Sequence, residues 1–224
     1  MNRIVEIDFF RGIAILLMMI FHMVFDLSYF FGMNIEYASG FWYYEGKLSA
    51  IMFMVLAGIG SNLSKRTTKR GLKLFALGML LTAITFLLDR KTYIKFGILH
   101  FMGISYLLSP LLKKIDTGIS FLVGTAVIII GDIFYELTVI SPHLYPLGLM
   151  NKDFVSLDYY PLFPYLGAFI FGIIFYKLVY MRGRRILPVD LKPNPLSEMG
   201  RHSLTIYLVH QPIILGFLYL LRLL

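Results

Sequence analysis

The sequence has no cysteine and few charged residues, and both absences exclude whole classes of protein. Without a cysteine among its 224 residues, the chain forms no disulfide, no thiolate metal site and no cysteine nucleophile. Charged residues make up 15% of the chain and hydrophobic residues 58%, whereas soluble domains have about 25% charged and about 45–50% apolar residues. The mean hydropathy is +0.75. This composition excludes an ordinary soluble enzyme, a disordered chain and a disulfide-rich secreted module.

Motifs for nucleotide and metal chemistry are also missing. The sequence contains no Walker loop and no GxGxxG, so nucleotide hydrolysis and dinucleotide binding have no support. Its five histidines form no HExxH and no close pair, so we expect no metal site. The net charge of +8 is carried in short clusters between apolar runs. That placement is typical of a polytopic membrane protein, and we expect no nucleic-acid partner.

Seven apolar stretches have about the 20 residues that a helix needs to cross a bilayer. We therefore predict an all-α integral membrane protein, a bundle of about seven transmembrane helices in a single domain, 1–224. The second stretch is short and broken by Gly58 and Gly60, which leaves open the alternative that it does not span. The predicted spans are 10–32, 47–64, 71–89, 96–112, 118–137, 160–180 and 203–221.

The positions of the basic residues predict the orientation of the bundle. Most of the 21 lysines and arginines lie in segments 65–73, 113–114 and 177–201, which share one side if every stretch spans. Cytoplasmic loops carry an excess of lysine and arginine. We therefore predict a cytoplasmic N-terminus and a C-terminus outside.

The first span carries an unusual number of ionisable residues. At 100° per residue, Asp8, Arg11, His22 and Asp26 fall within an arc of about 60°. Each costs about 2.5–3.5 kcal/mol in a membrane helix, so we expect this face to line the bundle interior or a water-filled cavity. His22 is then a candidate general base whose imidazole Asp26 orients from one turn away. The alternative for Asp8 and Arg11 is a local i,i+3 pair that only anchors the helix end.

Other spans place polar side chains at similar depths, and these are candidates for binding substrates. The alternative for the histidines is a packing role, and for Glu136 and Asp158 a simple interfacial charge. The set consists of His100, Asp132, Glu136, Asp158, Tyr207, His210 and Gln211.

Five segments carry a resemblance to a known family. RGIAILLMMIFH, preceded by EIDFF, places an arginine and a histidine in the first span with ten residues between them, which is similar to acyltransferase family three. With the other four in the same order, the chain resembles small prokaryotic members of the heparan-alpha-glucosaminide N-acetyltransferase catalytic-domain family. The other segments are FMVLAGIGSNLSKR, FGILHFMGISYLL, DYYPLFPYLGAFIFGI and MGRHSLTIYLVHQPI.

This resemblance implies a transmembrane acyltransferase. Such an enzyme moves an acyl group, typically acetyl, from cytoplasmic acyl-CoA to an acceptor such as an amino sugar or other glycan, by N- or O-acetylation. His22 and Arg11 match the histidine and arginine of the motif. The lysosomal branch has its proposed active histidine in the first lumenal loop, but the corresponding loop 33–46 has no histidine here. A prokaryotic plasma membrane is the implied location, and a homodimer is left open.

The resulting assignment divides the candidate residues among three roles. His22 and Asp26 are the catalytic candidates. The rival function is a small proton-coupled transporter or channel that uses the His–Asp stripe as a relay, and a non-catalytic scaffold is a third reading. Such transporters usually contain internal repeats with broken helices, and the sequence shows none, which favours the enzyme. The candidates for acyl-CoA are Arg11, Arg201, Tyr207 and His210, and those for the acceptor are His100, Asp132 and Asp158.

Overall fold

A computed structural model describes residues 4–187 and 191–223, and this part of the chain is helical without any β-strand. The prediction of an all-α protein is confirmed. Two short 3₁₀ turns, Tyr145–Leu147 and Tyr180–Arg182, lie in the connections. The helices are α1 (Val5–Tyr29), α2 (Gly40–Leu63), α3 (Thr67–Leu88), α4 (Ile98–Leu112), α5 (Thr117–Glu136), α6 (Leu162–Leu178), α7 (Pro195–Arg201) and α8 (Ser203–Leu223).

Six of the helices in the described residues are long and apolar enough to cross a membrane, by length and composition. They are α1, α2, α3, α5, α6 with the turn that follows it, and α8. The stretch 47–64, whose span was left open, belongs to α2, a helix of 24 residues. The short member of the predicted seven is instead 96–112, which forms α4. With 15 residues, α4 is about 22 Å long, against a hydrocarbon core of about 30 Å.

The chain divides into two compact units. Residues 1–53 and 186–224 form the first, which we call the terminal unit, and residues 54–185 form the central unit. The prediction of a single domain remains a prediction.

In the terminal unit, α1 and α8 run in the same direction. The ring centroids of His22 and His210 are 4.7 Å apart. Further along both helices, Gln211 bonds to Asp26. Beyond the end of α1, the rings of Phe31 and Tyr219 are 5.0 Å apart. Residue numbers therefore increase together along the two helices.

The short helix α7 packs tightly on the first turns of α1. Asn194 and Ser197 form a capping box that starts α7. At the contact, the two backbones approach so closely that a Cβ atom on Gly200 would overlap the carbonyl oxygen of Asp8, and one on Gly12 would overlap that of Leu196. Small residues permit this kind of close helix packing. The contact fixes the start of α8 at the same end of the unit as the start of α1.

The central unit contains two antiparallel helix pairs, α3 with α4 and α5 with α6. Gly71 lies against Gly103 and Gly78 against His100 in the first pair. In the second, Gly131 lies against Pro164.

Helices α4 and α6 are parallel neighbours of similar extent. The rings of Phe101 and Tyr165 are 6.4 Å apart and those of Tyr106 and Phe169 are 5.7 Å apart. The first N–H of α4 bonds to the loop that leads into α6. At the other end, the Nζ of Lys113 donates to the last turn of α2. Although α4 is short, its ends therefore reach the levels at which α6 begins and α2 ends.

Candidate active site

Helix α1 presents His22 and Asp26 one turn apart, on a face that meets α8. Asp26 has no exposed surface, and His22 is half-buried with a buried Nδ1. The i,i+4 spacing puts both side chains on one side of the helix, as the sequence predicts. The part of the predicted polar face that contains His22 and Asp26 therefore packs against another helix of this unit.

Helix α8 contributes the partners on the opposite side of this interface. Gln211 donates from Nε2 to Asp26 Oδ1 at 2.6 Å, although 185 residues separate them in the chain. The hydrogen bond of Asp26 in the described residues is thus made to Gln211, and not to the histidine one turn before it. The assignment of Asp26 as the group that orients His22 remains a prediction.

The hydrogen bonding of His210 determines which of its nitrogens carries the proton. Its Nδ1 lies 2.6 Å from the carbonyl oxygen of Tyr207, which can only accept, so Nδ1–H is the donor. The neutral ring then has a lone pair on Nε2. This atom is buried and has no hydrogen-bond partner among the described residues. His210 therefore presents a basic nitrogen next to the ring of His22.

Several buried polar atoms of the terminal unit have no hydrogen-bond partner among its described residues. Buried polar groups in proteins normally bond to protein or to ordered water, so a group of unpartnered atoms marks a place for a polar molecule. Within the described residues of the terminal unit, the buried side-chain atoms without a partner are His22 Nδ1, Asp26 Oδ2, both carboxylate oxygens of Glu45, His210 Nε2 and Gln211 Oε1.

The predicted CoA-binding arginines lie at the starting end of α1 and α8. Arg11 donates from NH1 to Asp8 Oδ1 at 2.8 Å, which is the local i,i+3 pair left open above. Arg201 is more exposed, with 53% of its side-chain surface accessible, and its NH1 lies 3.7 Å from Glu198 Oε1. Tyr207 lies beside His210, with ring centroids 5.6 Å apart. The arginines and the histidine pair thus occupy successive levels of one unit.

The predicted acceptor residues belong to the central unit, where two of them lie at the start of α4. Asp158 Oδ2 accepts the backbone N–H of Ile98 at 2.9 Å and so caps α4 from another segment. This carboxylate occupies the space where Gly97 would carry a Cβ, so only glycine fits before α4. Burial raises the pKa of Asp158 to about 6. Asp132 is separate from them and exposed on α5.

His100 is fully engaged in hydrogen bonds at the same helix end. Its Nδ1 accepts the backbone N–H of Gly97 at 3.2 Å. Thr82 Oγ1 donates to the carbonyl of Ile94, so it can accept from His100 Nε2–H at 3.3 Å. The ring also stacks on Phe96. Both nitrogens of His100 therefore stabilise the start of α4.

Sequence comparison places the chain in a family. The catalytic-domain profile described as heparan-alpha-glucosaminide N-acetyltransferase, catalytic, matches residues 3–212, nearly the whole chain. The chain belongs to this family. No curated protein and no solved structure matches it significantly.

Membership in the heparan-alpha-glucosaminide N-acetyltransferase family agrees with the composition of the chain. It indicates a membrane acetyltransferase, and enzymes of this type use acetyl-CoA as the donor. The six apolar helices of the described residues support a membrane protein. The described residues contain no group of three or more side chains that could hold a metal ion.

The sequence analysis includes Gln211 among the polar residues of the spans but does not predict its bond to Asp26, and it does not single out Glu45. Gln211 directly follows His210, so its side chain leaves the helix 100° further around the axis. Glu45 lies outside the predicted span 47–64, in the less apolar segment FWYYEGK. In the structure, α2 begins at Gly40, and Glu45 shares a face with Ser49 one turn later.

Proposed function

We propose that the chain is a membrane-spanning acyltransferase that moves an acetyl group from cytoplasmic acetyl-CoA to an amine or hydroxyl acceptor at or across the membrane. The observation that carries this proposal is the pair formed by His22 and His210, with a free lone pair on His210 Nε2 and further unpartnered buried atoms in the same unit. Family membership supports acetyl transfer as the reaction. An amino sugar or another glycan is the acceptor class we favour.

The topology we propose has seven spans, with the N-terminus in the cytoplasm and the C-terminus outside. The parallel course of α1 and α8 supports termini on opposite sides, which requires an odd number of spans. The extent of α4 beside α6 supports α4 as the seventh. Basic residues at the ends of α2, α4 and α6 then face the cytoplasm, in agreement with the positive-inside rule. A prokaryotic plasma membrane is the location we propose, while a homodimer remains a prediction.

The chemistry we propose is general-base catalysis by the histidine pair. One imidazole removes the proton from the acceptor N–H or O–H as that atom attacks the thioester carbonyl carbon. The new C–N or C–O bond forms, the C–S bond breaks, and the imidazolium returns its proton to the CoA sulfur. Such proton transfer typically contributes about 10²–10⁴-fold, and holding both reactants in line contributes further.

The supporting residues come from both units. We propose that Arg11, Arg201 and Tyr207 bind the CoA end of the donor, since guanidinium groups suit phosphates and lie at the end we assign to the cytoplasm. Acceptor contacts by Asp132, Asp158 and His100 are retained as a proposal for the outer side. The hydrogen bonds that Asp158 and His100 already make favour a role in shaping that side.

The experiment that tests this function is a thiol-release assay. The purified protein is given acetyl-CoA and a panel of amine and hydroxyl acceptors, and free CoA is measured for the wild type, His22→Ala and His143→Ala. His143 is an exposed loop histidine and serves as the matched control. We expect turnover by the wild type and the control, and at least about 100-fold less by His22→Ala.

The opposite outcome identifies the rival function. If millimolar CoA species produce no thermal stabilisation and the protein carries proton-linked solute flux in liposomes, the chain is a transporter and the acyltransferase proposal is wrong.

A further inference from the structure

Asp26 and Gln211 form a buried pair in which each side chain keeps one oxygen without a partner. Asp26 has no exposed surface, and its Oδ1 accepts from Nε2 of Gln211 at 2.6 Å. Asp26 Oδ2 and Gln211 Oε1 are buried as well, and neither has a hydrogen-bond partner among the described residues. Buried oxygens normally bond to protein or to ordered water. The proposed mechanism uses neither of these two atoms.

The chemistry of the pair determines which kind of group can fill this place. An ionised carboxylate only accepts hydrogen bonds, so the amide of Gln211 must turn its NH2 group toward Asp26. Its Oε1 therefore takes no part in the bond, and an amide oxygen also only accepts. Both remaining atoms need a hydrogen donor. A molecule that binds here must therefore supply N–H or O–H groups.

This pair lies close to the two histidines on the same pair of helices. Asp26 follows His22 by one turn of α1, and Gln211 directly follows His210 in α8. Both the ring contact and the hydrogen bond cross the interface between α1 and α8. Side chains one turn apart on a helix have their Cβ atoms about 5–6 Å from each other. A group bonded to Asp26 Oδ2 is therefore at most about one turn from an imidazole.

The order of groups along the two helices assigns this place to the acceptor. Helices α1 and α8 run in the same direction, and the arginines proposed to bind CoA lie at their starting end. Asp26 comes after His22 and Gln211 after His210, so the pair lies on the other side of the histidines from those arginines. In the proposed topology this is the outer side. Acetyl-CoA from the cytoplasm and an acceptor from outside then meet at the histidines.

We propose that Asp26 Oδ2 and Gln211 Oε1 form the subsite for the reacting group of the acceptor, which they hold through its N–H or O–H hydrogens beside the histidine pair. This inference rests on the proposed acyl transfer and its topology. Holding the nucleophile in line with the thioester is a large part of what such a site contributes to the rate. The proton passes from the acceptor to an imidazole and back to the CoA sulfur, so Asp26 and Gln211 gain and lose none.

The test compares one change at each member of the pair with one control. Asp26→Asn keeps the shape and the oxygen that accepts from Gln211, but it turns the Oδ2 position into a donor. Gln211→Met removes both the amide donor and Oε1 from a side chain of similar length. Asp153 is exposed in the loop before α6, and Asp153→Asn makes the same change of charge outside the terminal unit. For each protein, kcat, the KM for the best acceptor of the panel, the KM for acetyl-CoA and the thermal midpoint are measured.

We expect Asp26→Asn to raise the acceptor KM at least 10-fold while kcat falls by a smaller factor. The reason is that the lost bond is made to the bound acceptor before the reaction as well as during it. The KM for acetyl-CoA and the thermal midpoint should change little, and Asp153→Asn should equal the wild type. Gln211→Met should also raise the acceptor KM. Because Asp26→Asn keeps the bond between the helices, it decides the question even if Gln211→Met is too unstable to purify.

A rise of less than 10-fold in the acceptor KM of Asp26→Asn overturns the inference, since the two oxygens would then bind only water. A fall in kcat that exceeds the rise in KM also overturns it, because Asp26 would then orient His22, as the sequence predicts. Neither result affects the proposed function, which fails only if the wild type itself transfers no acyl group or if His22→Ala transfers it as well as the wild type.

Discussion

His210 in the terminal unit and His100 in the central unit are equally buried, with 6% and 2% of their surfaces exposed, yet their hydrogen bonds differ. His100 uses both ring nitrogens, one to Gly97 and one to Thr82. His210 uses only Nδ1 and leaves Nε2 unpartnered. Burial alone therefore does not distinguish these two histidines, whereas their hydrogen bonds do.

The carboxylates of the two units differ in the same way. Asp158 accepts the first N–H of α4, which accounts for its position. Asp26 has one oxygen bonded to Gln211 and one without a partner, and Glu45 has two without partners. Asp158 and His100 of the central unit are therefore bonded within the protein, whereas Asp26, Glu45 and His210 of the terminal unit each have a polar atom without a partner among the described residues.

The largest effect is expected from His210→Asn, which removes the unpartnered nitrogen that distinguishes His210 from His100. The asparagine Nδ2 replaces Nδ1 as donor to the carbonyl of Tyr207, and the basic Nε2 is lost. We expect kcat to fall by about 10²–10⁴-fold while the thermal midpoint changes little, because the bond within the protein is kept. The measurement is thiol release at saturating acetyl-CoA. An unchanged kcat would leave His22 as the sole base.

The second-largest effect is expected from His100→Ala, and it concerns the stability of the protein. The change leaves the N–H of Gly97 without its acceptor and opens a cavity beside Phe96. We expect a loss of about 2–4 kcal/mol of unfolding free energy. Thermal unfolding in detergent measures the loss, and kcat per folded molecule at saturating acceptor should be preserved. A selective loss of kcat with an unchanged midpoint would instead give His100 a direct part in the chemistry.

A smaller, pH-dependent effect is expected from Asp158. Its pKa is raised by burial to about 6 in the folded protein. In the unfolded chain it is near 3.9, so the folded state holds this proton more strongly. The contribution of Asp158 to stability is therefore fully present below about pH 4 and is lost as the pH rises through about 6.

The variant Asp158→Asn isolates this contribution, because its amide oxygen still accepts the N–H of Ile98 but does not titrate. Between pH 4 and pH 7 the wild type should lose on the order of 2 kcal/mol more stability than Asp158→Asn. Thermal midpoints of both proteins across this range give the comparison. Parallel curves would show that Asp158 titrates normally.

The smallest effect is expected from Arg201→Ala. This side chain is half exposed and its pair with Glu198 spans 3.7 Å, so the pair contributes at most about 1 kcal/mol to stability. If Arg201 contacts CoA phosphates, the KM for acetyl-CoA should rise several-fold at low salt and less at high salt, since exposed charges are screened. A KM that does not change at either salt concentration would remove Arg201 from the donor site.

The helices were largely predictable from sequence, because long apolar stretches have few alternatives in a membrane. The stretch 47–64 was left open on account of Gly58 and Gly60, yet it lies in a continuous helix. Glycines at a helix contact permit close packing, and local hydropathy gives no information about such contacts. Helix α7 was missed because a helix of seven residues leaves almost no periodic signal.

The candidate site was predictable only for the half that lies on α1. Helical periodicity places His22 and Asp26 on one face, since that relation is local. The contacts of His22 with His210 and of Asp26 with Gln211 depend on how distant helices pack. The burial of Glu45 was not predictable either, because this residue precedes the apolar stretch 47–64.

His22 lies in α1 and His210 in α8, and this separation affects when the two can meet during synthesis of the chain. The polar face of α1 enters the membrane early, but its partner Gln211 lies 185 residues later than Asp26. At about 5–20 residues per second, translation needs on the order of 10–40 s to supply it. Throughout that interval the face of α1 has no α8 to bury it. The proposed site is therefore completed only after α8 has been synthesised, and a chain truncated before α8 lacks both His210 and Gln211.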